Sequence, residues 1–427
     1  MPYHPSSSCS MPTSVPGAIA AITSQPGFSQ PSKRYFDVPS ENLLDVGDTS
    51  IYLMGALEDI INNFPPRSRY PHEALQGLWS GPTGIAYLLV QVSSRSPDLV
   101  VSGQPAIHWA QCYIAGSRGH NLRLGSHGCG VSDERLAFEA VKAALTKDLR
   151  HVRDFVAMVE QVAAVEEFPD ENLYGRAGTL YLLRMIKHWV GAESCGKIID
   201  PAIAEIANTV MNHGLPEPQG DGNNPRAEGR VRWKWHGQRY LGAVHGDIGI
   251  IMQLVLSMPS LADRLEGVLE RLLRMQQHDG NWPSSEGRTS PGKGLVQFCH
   301  GAPGFVVSLC SIRQYFPRLQ GKIDGALQRA RQCIWTQGLL KKEPNICHGI
   351  FGNALCLPKG PQRQHFLAIA TPENVGHMKA SDPTGTVFER ADYGRSYSSL
   401  TSYAPCAVWT WLVAREPDPI IMGYNDV

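Results

Sequence analysis

The sequence predicts an all-α protein built as an α/α toroid, in which a ring of inner helices is enclosed by a ring of outer helices. Three observations predict it. A short Gly-x-x-Gly motif recurs along the chain, an apolar stretch follows each copy, and an amphipathic stretch separates the copies. Repeats of about 20–50 residues are typical of stacked supersecondary units that bury a shared core. One such motif would be an ordinary turn, whereas five before apolar stretches indicate a repeated fold.

The copies of the motif are spaced as a repeat. They begin at Gly81, Gly175, Gly246, Gly301 and Gly349. The last two intervals are each about 50 residues long, and the first interval is about twice that length. This gap predicts a degenerate copy near residue 130, where the glycine-rich stretch 125–130 lies and a helical pattern follows at residues 135–145.

The two kinds of stretch suit the two layers of the toroid. Residues 250–256 are apolar nearly all round, which is typical of a helix that is buried on most sides. Residues 261–273 alternate charged side chains with leucines at helical spacing, as an outer helix with one wet face requires. We expect glycine in the turns because they take positive φ and pack tightly. The amino termini of the inner helices then gather at one end and favour anions and polar chemistry there.

The composition argues against several classes of protein. The chain has 427 residues, 39 basic and 39 acidic side chains, and 42% hydrophobic residues, so its formal net charge is zero. Zero net charge argues against nucleic-acid binding by bulk electrostatics. No apolar run approaches the roughly 18 residues of a membrane-spanning helix. No secretory signal pattern is present and the ten cysteines do not indicate a disulfide scaffold, so we expect a cytoplasmic protein.

The chain divides into two parts. Residues 1–35 are rich in serine and proline, and we expect them to form a disordered leader. Residues 36–427 are assigned to a single toroid domain. Within it, residues 359–364 and 371–384 carry few helical signals and could include loops.

Cysteine and histidine side chains recur just before the glycine motifs. Two copies follow the dipeptides Cys299-His300 and Cys347-His348, and a third copy follows His245. In a toroid these side chains lie at the entrances of inner helices and converge on one cavity. Thiolates and imidazoles are ligands that Zn²⁺ prefers, and a catalytic zinc uses three of them with one position open. The dipeptides offer four candidates, and two buried cysteines with two hydrogen-bonded histidines remain the alternative.

Longer strings resemble the lanthionine synthetase C-like (LanC-like) proteins. The matching strings, in the order of the family, are residues 172–178 (NLYGRAG), 243–246 (AVHG), 280–284 (GNWPS), 298–304 (FCHGAPG) and 347–349 (CHG). The first and fourth strings are similar to the eukaryotic branch of the family rather than to the bacterial lantibiotic cyclases. The resemblance implies an α/α toroid with seven inner and seven outer helices.

The resemblance also implies a site and a chemistry. It implies one Zn²⁺ bound by Cys299, Cys347 and His348, with His245 as the acid/base residue and His300 as a catalytic candidate beside the ligands or on the substrate side. Zinc lowers the pKa of a bound thiol, so that the reactive thiolate forms at neutral pH. The implied reaction adds this thiol to a dehydroamino acid to form a thioether, and a histidine protonates the resulting enolate.

The resemblance leaves the partners and the activity open. The thiol would belong to glutathione or to a peptide cysteine, and the dehydroamino acid to a protein or to a small molecule. An enzyme of the lyase or transferase type is the leading hypothesis. A non-catalytic adaptor that binds zinc and glutathione is one alternative, and a cyclase recruited to a small secondary metabolite is another.

Further polar and aromatic residues lie close to the motifs. Glu171 stands where bacterial members of the family carry an acidic residue, and we take it as a catalytic candidate, with a loop acid or a helix cap as the alternative. Arg176 could bind a glutathione carboxylate in a bidentate manner, with a structural role at a helix start as the alternative. We interpret Trp233, Trp235 and His236 as packing at the surface or rim.

The last repeat departs from the pattern of the family. Residues 398–407 lack the Glu-Gly pair that the family carries there, and Pro405 stands where a turn glycine is usual. Residues 407–413 are still apolar enough for an inner helix. The departure concerns the mouth of the cavity, and therefore the substrate, rather than the proposed zinc ligands.

Overall fold

The computed structural model describes residues 16–30, 33–39, 42–119, 122–125, 128–214, 233–287, 294–390 and 397–427. Within these ranges the protein is helical apart from one small antiparallel sheet, β1 (Val100–Val101) and β2 (Gln104–Pro105). The predicted all-α class is therefore confirmed. No helix among the described residues combines the length and apolar character that crossing a bilayer requires.

Seventeen α-helices lie in the described ranges. They are α1 (Pro16–Thr23), α2 (Ser50–Asn63), α3 (Pro82–Arg95), α4 (Ala106–Ala115), α5 (Glu134–Thr146), α6 (Leu149–Val156), α7 (Val159–Ala164), α8 (Arg176–Val190), α9 (Ala192–His213), α10 (Asp247–Ser257), α11 (Ala262–Arg274), α12 (Ala302–Ile312), α13 (Gln320–Gln337), α14 (Ile350–Cys356), α15 (Pro361–Ile369), α16 (Pro372–Ala380) and α17 (Tyr403–Val413). Short 3-10 helices span His72–Ala74, Pro259–Leu261, Arg313–Tyr315 and Pro317–Leu319.

The helices form two concentric layers. The inner ring consists of α3, α5, α8, α10, α12, α14 and α17; each contacts the next, and α17 contacts α3, so that the ring closes. In the same order, their outer partners are α4, α6, α9, α11, α13, α15 and α2. Because α2 precedes the first inner helix and packs on the last one, it joins the beginning of the toroid to its end. The predicted α/α toroid of seven inner and seven outer helices is confirmed within the described residues.

Burial distinguishes the two layers as the apolar patterns predict. Every residue of α14 is buried, as are residues 247–255 of α10. The outer helix α11 instead buries one face, which includes Leu265, Leu269 and Leu272, and leaves its charged face in water. The degenerate second copy also precedes an inner helix, α5, although residues 126 and 127 lie outside the described ranges.

Steric crowding explains why the second position of each complete motif is glycine. A Cβ atom there would lie 1.9–2.5 Å from the carbonyl oxygen of the residue six positions earlier, at Gly84, Gly178, Gly249, Gly304 and Gly352. Backbone therefore packs on backbone at each helix entrance. Positive φ occurs at the first glycine of only two complete motifs, Gly81 and Gly301, so our expectation of positive φ throughout the turns is wrong. Close packing is the shared requirement.

The chain before α2 packs partly against the toroid. Residues 1–15, 31 and 32 of the expected leader lie outside the described residues. The short helix α1 follows, and Ile22 and Phe28 are buried. The Phe36 N–H donates to the carbonyl of Leu339 at 2.8 Å, which ties this segment to the chain after α13. Packed structure thus begins before residue 36.

Two stretches with few helical signals are largely helical. Helices α15 and α16 occupy most of residues 359–384. Both begin with proline, whose missing N–H costs nothing in the first turn. The Thr371 hydroxyl caps α16 by accepting from the Asn374 N–H. The sequence signal that could have predicted these two helices was the proline and the capping residue at their starts, rather than a periodic apolar pattern.

Residues 421–427, which we call the axial segment, enter the inner ring from the end opposite the turns. The Asp426 carboxylate accepts from the hydroxyl of Tyr87 at 2.7 Å and from that of Tyr181 at 2.9 Å. Both tyrosines lie about one and a half turns into their helices, α3 and α8, so the segment reaches well inside the ring. The Tyr424 hydroxyl lies 2.6 Å from that of Ser308 on α12.

Candidate functional site

Three potential metal ligands meet at the entrances of neighbouring inner helices. Cys299, Cys347 and His348 each offer one donor atom, and the three atoms lie within 4.8 Å of one another. The Cys299 N–H donates to the carbonyl of Cys347 at 3.2 Å, so the turns before α12 and α14 are joined directly. The Cys347 N–H donates to the carbonyl of Leu400 at 2.9 Å, which ties the turn before α14 to that before α17. Backbone contacts between turns therefore bring the distant thiols together.

The donor set fits a zinc ion. Zinc–sulfur bonds of about 2.3 Å in a tetrahedral site place neighbouring donors about 3.8 Å apart, which the 4.8 Å cluster accommodates. A hydrogen bond from the Cys347 thiol lowers the pKa of Cys299 well below its usual range, because it stabilises the thiolate. The Gln297 side-chain amide also donates to the Cys299 sulfur at 3.1 Å. Two thiols and one imidazole would leave a fourth position open.

His245 is held by a buried carboxylate. Its Nδ1 lies 2.7 Å from Oε2 of Glu171. The backbone N–H groups of Leu173 and Tyr174 donate to the same carboxylate, so the chain itself fixes it. Because a carboxylate only accepts hydrogen bonds, the Nδ1–H of His245 donates to Glu171, and Nε2 lies on the other side of the imidazole ring. Glu171 is buried and contacts His245, so the alternative of a solvated loop acid is wrong, whereas its bonds to two backbone N–H groups before α8 resemble the helix-cap alternative.

His300 lies between this pair and the thiols. It follows Cys299 in the chain, and its ring centroid lies 6.0 Å from that of His245 and 5.7 Å from that of Tyr240. Burial lowers the pKa of His300, so the neutral imidazole is favoured. Its Nδ1 atom is buried without a hydrogen-bond partner among the described residues. The structure therefore places His300 with His245, as its neighbour at the mouth of the ring.

Arg176 is engaged inside the protein. The guanidinium is fully buried and donates to the carbonyls of Val162 at 3.0 Å and Phe168 at 2.6 Å, and to the Asp170 carboxylate at 3.0 Å. A further donor meets the carbonyl of Val165. A substrate carboxylate would have to displace these contacts. The structural alternative from the sequence describes this geometry, and a role in binding glutathione stays a prediction.

Trp235, which the sequence interpretation took only as packing at the surface or rim, is an aromatic residue of the site. The ring of Trp235 stacks on that of His245, with centroids 4.3 Å apart and planes inclined by 9°. Tyr174 stacks on Trp235 in turn, at 5.9 Å and 21°. Trp235 stands ten residues before His245, and no periodic pattern relates the two positions. The available signal was an aromatic cluster, including Trp233, in the loop that leads to the His-Gly motif.

A second ligand-like cluster lies between α5 and its outer partner α6, and it runs from a buried carboxylate to an exposed one. It contains Glu139, His151 and Asp154. Arg135 and Lys142 approach the Glu139 carboxylate to 3.4 and 3.8 Å. These cations compensate the charge that would attract a metal ion, so we assign no metal to this cluster.

Known proteins show similarity to this chain. A model of the family described as "Lanthionine synthetase C-like protein" matches residues 76–359, which is more than half of the chain. "Glutathione S-transferase LANCL1" of Danio rerio is 31% identical over 191 residues, 44% of this chain and 45% of that protein. "LanC-like protein GCL1" of Arabidopsis thaliana is 30% identical over 186 residues, 43% of this chain and 40% of that protein. Each alignment thus spans less than half of the relative.

Proposed function

This chain belongs to the lanthionine synthetase C-like family, and on that premise we propose that it is a zinc-dependent enzyme that adds a thiol to a dehydroamino acid. One observation carries the proposal: Cys299, Cys347 and His348 converge within 4.8 Å at the mouth of the ring. A zinc ion held there would activate a substrate thiol by lowering its pKa. Such a donor set, open on one side, is typical of catalytic rather than structural zinc sites.

The protein's own residues supply the proton chemistry. In the addition, the thiolate sulfur bonds to the β-carbon, and the electron pair of the double bond moves to the α-carbon and its carbonyl. The α-carbon then needs one proton, which balances the proton lost by the thiol. His245 would deliver it from Nε2 while Glu171 stabilises the imidazolium through Nδ1. The overall reaction is an addition and requires no oxidant or reductant.

Glutathione is the thiol that we propose. The support is the name of the Danio rerio relative, a glutathione S-transferase. A peptide cysteine would follow the same chemistry, and a dehydroalanine or dehydrobutyrine residue would be the electrophile. His300, beside His245, would face the same reacting groups.

The test is a mass-spectrometric assay with the full chain. Zinc-loaded protein is incubated with glutathione and a peptide that contains dehydrobutyrine, and we expect the peptide to gain the mass of one glutathione. Protein stripped with a chelator should lose this activity and regain it when zinc is restored. Bound zinc and bound glutathione without product would favour the adaptor alternative. Absence of zinc from protein purified without chelators would overturn the proposal.

A further inference from the structure

A tight hairpin presents Trp235 to the site. Trp235 and Gln238 exchange both backbone hydrogen bonds, at 2.9 and 3.0 Å. The two residues between them, His236 and Gly237, have φ of 47° and 72°. Two successive residues with positive φ are typical of a type I′ turn, whose twist matches a two-residue hairpin. The backbone at Trp235 is therefore fixed by local geometry.

The base of this hairpin is tied to a neighbouring segment. The Glu286 N–H donates to the carbonyl of Arg239 at 2.9 Å, and the Leu241 N–H donates to that of Ser284 at 3.1 Å. The side chains of Arg239 and Glu286 form an ion pair at 3.1 Å. These contacts continue to the turn before α10, which carries His245. These contacts thus fix the position of the hairpin relative to His245.

The two shortest of the contacts of His245 act on its ring in different directions. The Glu171 carboxylate holds the ring at one point of its edge, Nδ1. A single hydrogen bond leaves the imidazole free to swing about that point. The Trp235 indole lies against the face of the ring, at 4.3 Å and nearly parallel, and blocks this swing. Edge and face contacts together leave Nε2 pointing in one direction.

We propose that Trp235 is a positioning residue that holds the His245 imidazole in the orientation required for proton delivery. The inference rests on the proposed function of His245, because the orientation matters only if Nε2 meets the substrate. Trp235 would act through His245 rather than on the reacting atoms. A flat ring is the property required, so phenylalanine should largely replace tryptophan, whereas leucine of comparable apolar character should not.

The first measurement is steady-state kinetics on Trp235→Leu and Trp235→Phe. We expect Trp235→Leu to lower kcat about 10- to 100-fold, because a displaced proton donor loses its alignment. KM for glutathione and the zinc content should stay unchanged. Trp235→Phe should recover most of kcat. The matched control is Trp233→Leu, since Trp233 is buried two residues earlier and donates to the Val210 carbonyl instead; it should lower the melting temperature and leave kcat close to wild type.

The second measurement does not depend on activity. Diethylpyrocarbonate modifies exposed imidazoles, and peptide mass spectrometry gives its rate at His245. Removing the indole should uncover the face of His245, so we expect Trp235→Leu to be modified several-fold faster than wild type, Trp235→Phe and Trp233→Leu. Equal rates at His245 in all four proteins would overturn the inference, as would an equal loss of kcat in Trp233→Leu. If Trp235→Leu does not fold, Trp235→Met takes its place in both measurements.

The two measurements separate the inference from the proposed function. If the wild-type protein forms no thioether, the proposed function is wrong, and the inferred role of Trp235 in proton delivery is wrong as well. The modification rates then still report whether Trp235 holds the histidine. If wild type is active and Trp235→Leu keeps full kcat, only the positioning role is overturned.

Discussion

The two ends of the inner ring use polar side chains in opposite ways. At the turn end, two thiols and a histidine converge while the buried Nδ1 of His300 has no hydrogen-bond partner among the described residues. The axial segment enters from the other end and carries the Asp426 carboxylate to the middle of the ring, where it accepts from Tyr87, Tyr181 and the Gln91 side-chain amide, all within 2.9 Å. Buried polar groups that are satisfied within the chain stabilise a fold, whereas groups left available can bind a ligand. The toroid therefore places its candidate ligands at one end and a closed polar network on the segment that enters from the other.

Contacts of the axial segment connect the candidate site with the opposite end of the ring. The ring of Phe298, the residue before Cys299, packs edge-on against Tyr424 of the axial segment, with centroids 5.0 Å apart. Arg184 on α8 donates to the carbonyl of Val427 at 2.7 Å and to the side-chain carbonyl of Gln253 on α10 at 2.6 Å. It therefore joins the axial segment to two inner helices. Substitutions at the two ends should therefore separate into those that remove ligand or activity and those that remove stability.

Loss of one thiol should have the largest effect. Cys347→Ala leaves two of three ligands, so we expect zinc content to fall from one per chain to near zero and activity to fall to background. Elemental analysis and the glutathione assay measure both. Cys333→Ala is the matched control, since Cys333 is buried on the outer helix α13 and should retain zinc. Full zinc content in Cys347→Ala would contradict the ligand assignment.

Loss of His245, the proposed proton donor, should have the next largest effect. His245→Ala should lower kcat by about 10²- to 10⁴-fold, the range expected for a general acid or base. Zinc content should be unchanged, because His245 is not among the clustered ligands. A variant that loses both zinc and activity would show instead that His245 belongs to the metal site.

At the opposite end, Asp426→Ala should cost stability and leave zinc content intact. It removes the acceptor of four hydrogen bonds, three from side chains and one from the Gly423 N–H, and we expect a loss of about 2–5 kcal/mol in the free energy of unfolding. Denaturant unfolding measures it. Asp418→Ala, on an exposed residue, is the control and should change stability little. If Asp426→Ala lost zinc but kept its stability, the two ends of the ring would not differ in the way that we expect.

Arg176 should behave as a stability residue although it stands near the chemical end. Arg176→Met removes the side-chain donor to the carbonyls of Val162 and Phe168 and leaves the Asp170 carboxylate with His213, so we expect a loss of about 2–4 kcal/mol. Glutathione affinity, measured calorimetrically on folded protein, should change little. A weaker affinity without loss of stability would instead support the predicted contact with a glutathione carboxylate.

His365, on the outer helix α15, should have a smaller effect, which is a loss of stability in mild acid. Burial lowers the pKa of His365 to about 4, and its Nδ1 accepts from the Leu44 N–H at 3.1 Å. Between pH 6.5 and 4 the unfolded chain binds a proton at this residue that the native protein does not, so stability falls as pH falls. From pH 6.5 to 5.5 we expect His365 to account for about 1 kcal/mol. His365→Gln should flatten this part of the pH-stability curve, whereas an identical curve would contradict it.

Local patterns predicted the ring well and the site in part. The recurring motif located the entrances of the inner helices because backbone packs on backbone there and tolerates only glycine, as at Gly249. The candidate ligands were visible because each stands beside such a motif. The contact between Glu171 and His245 was not predicted, since 74 residues separate them and their meeting depends on how two turns pack.

By itself, the sequence determined the helical layers, the end of the ring where polar groups gather, and the residue types available for zinc and proton transfer. These properties depend on periodicity and on chemistry that each residue carries alone. Only the tertiary structure decided that Arg176 faces its own loop, that Trp235 covers His245, and that residues 421–427 reach inside the ring. Such contacts join segments far apart in the chain or carry no repeating pattern, and they form because ring closure leaves each side chain one set of neighbours.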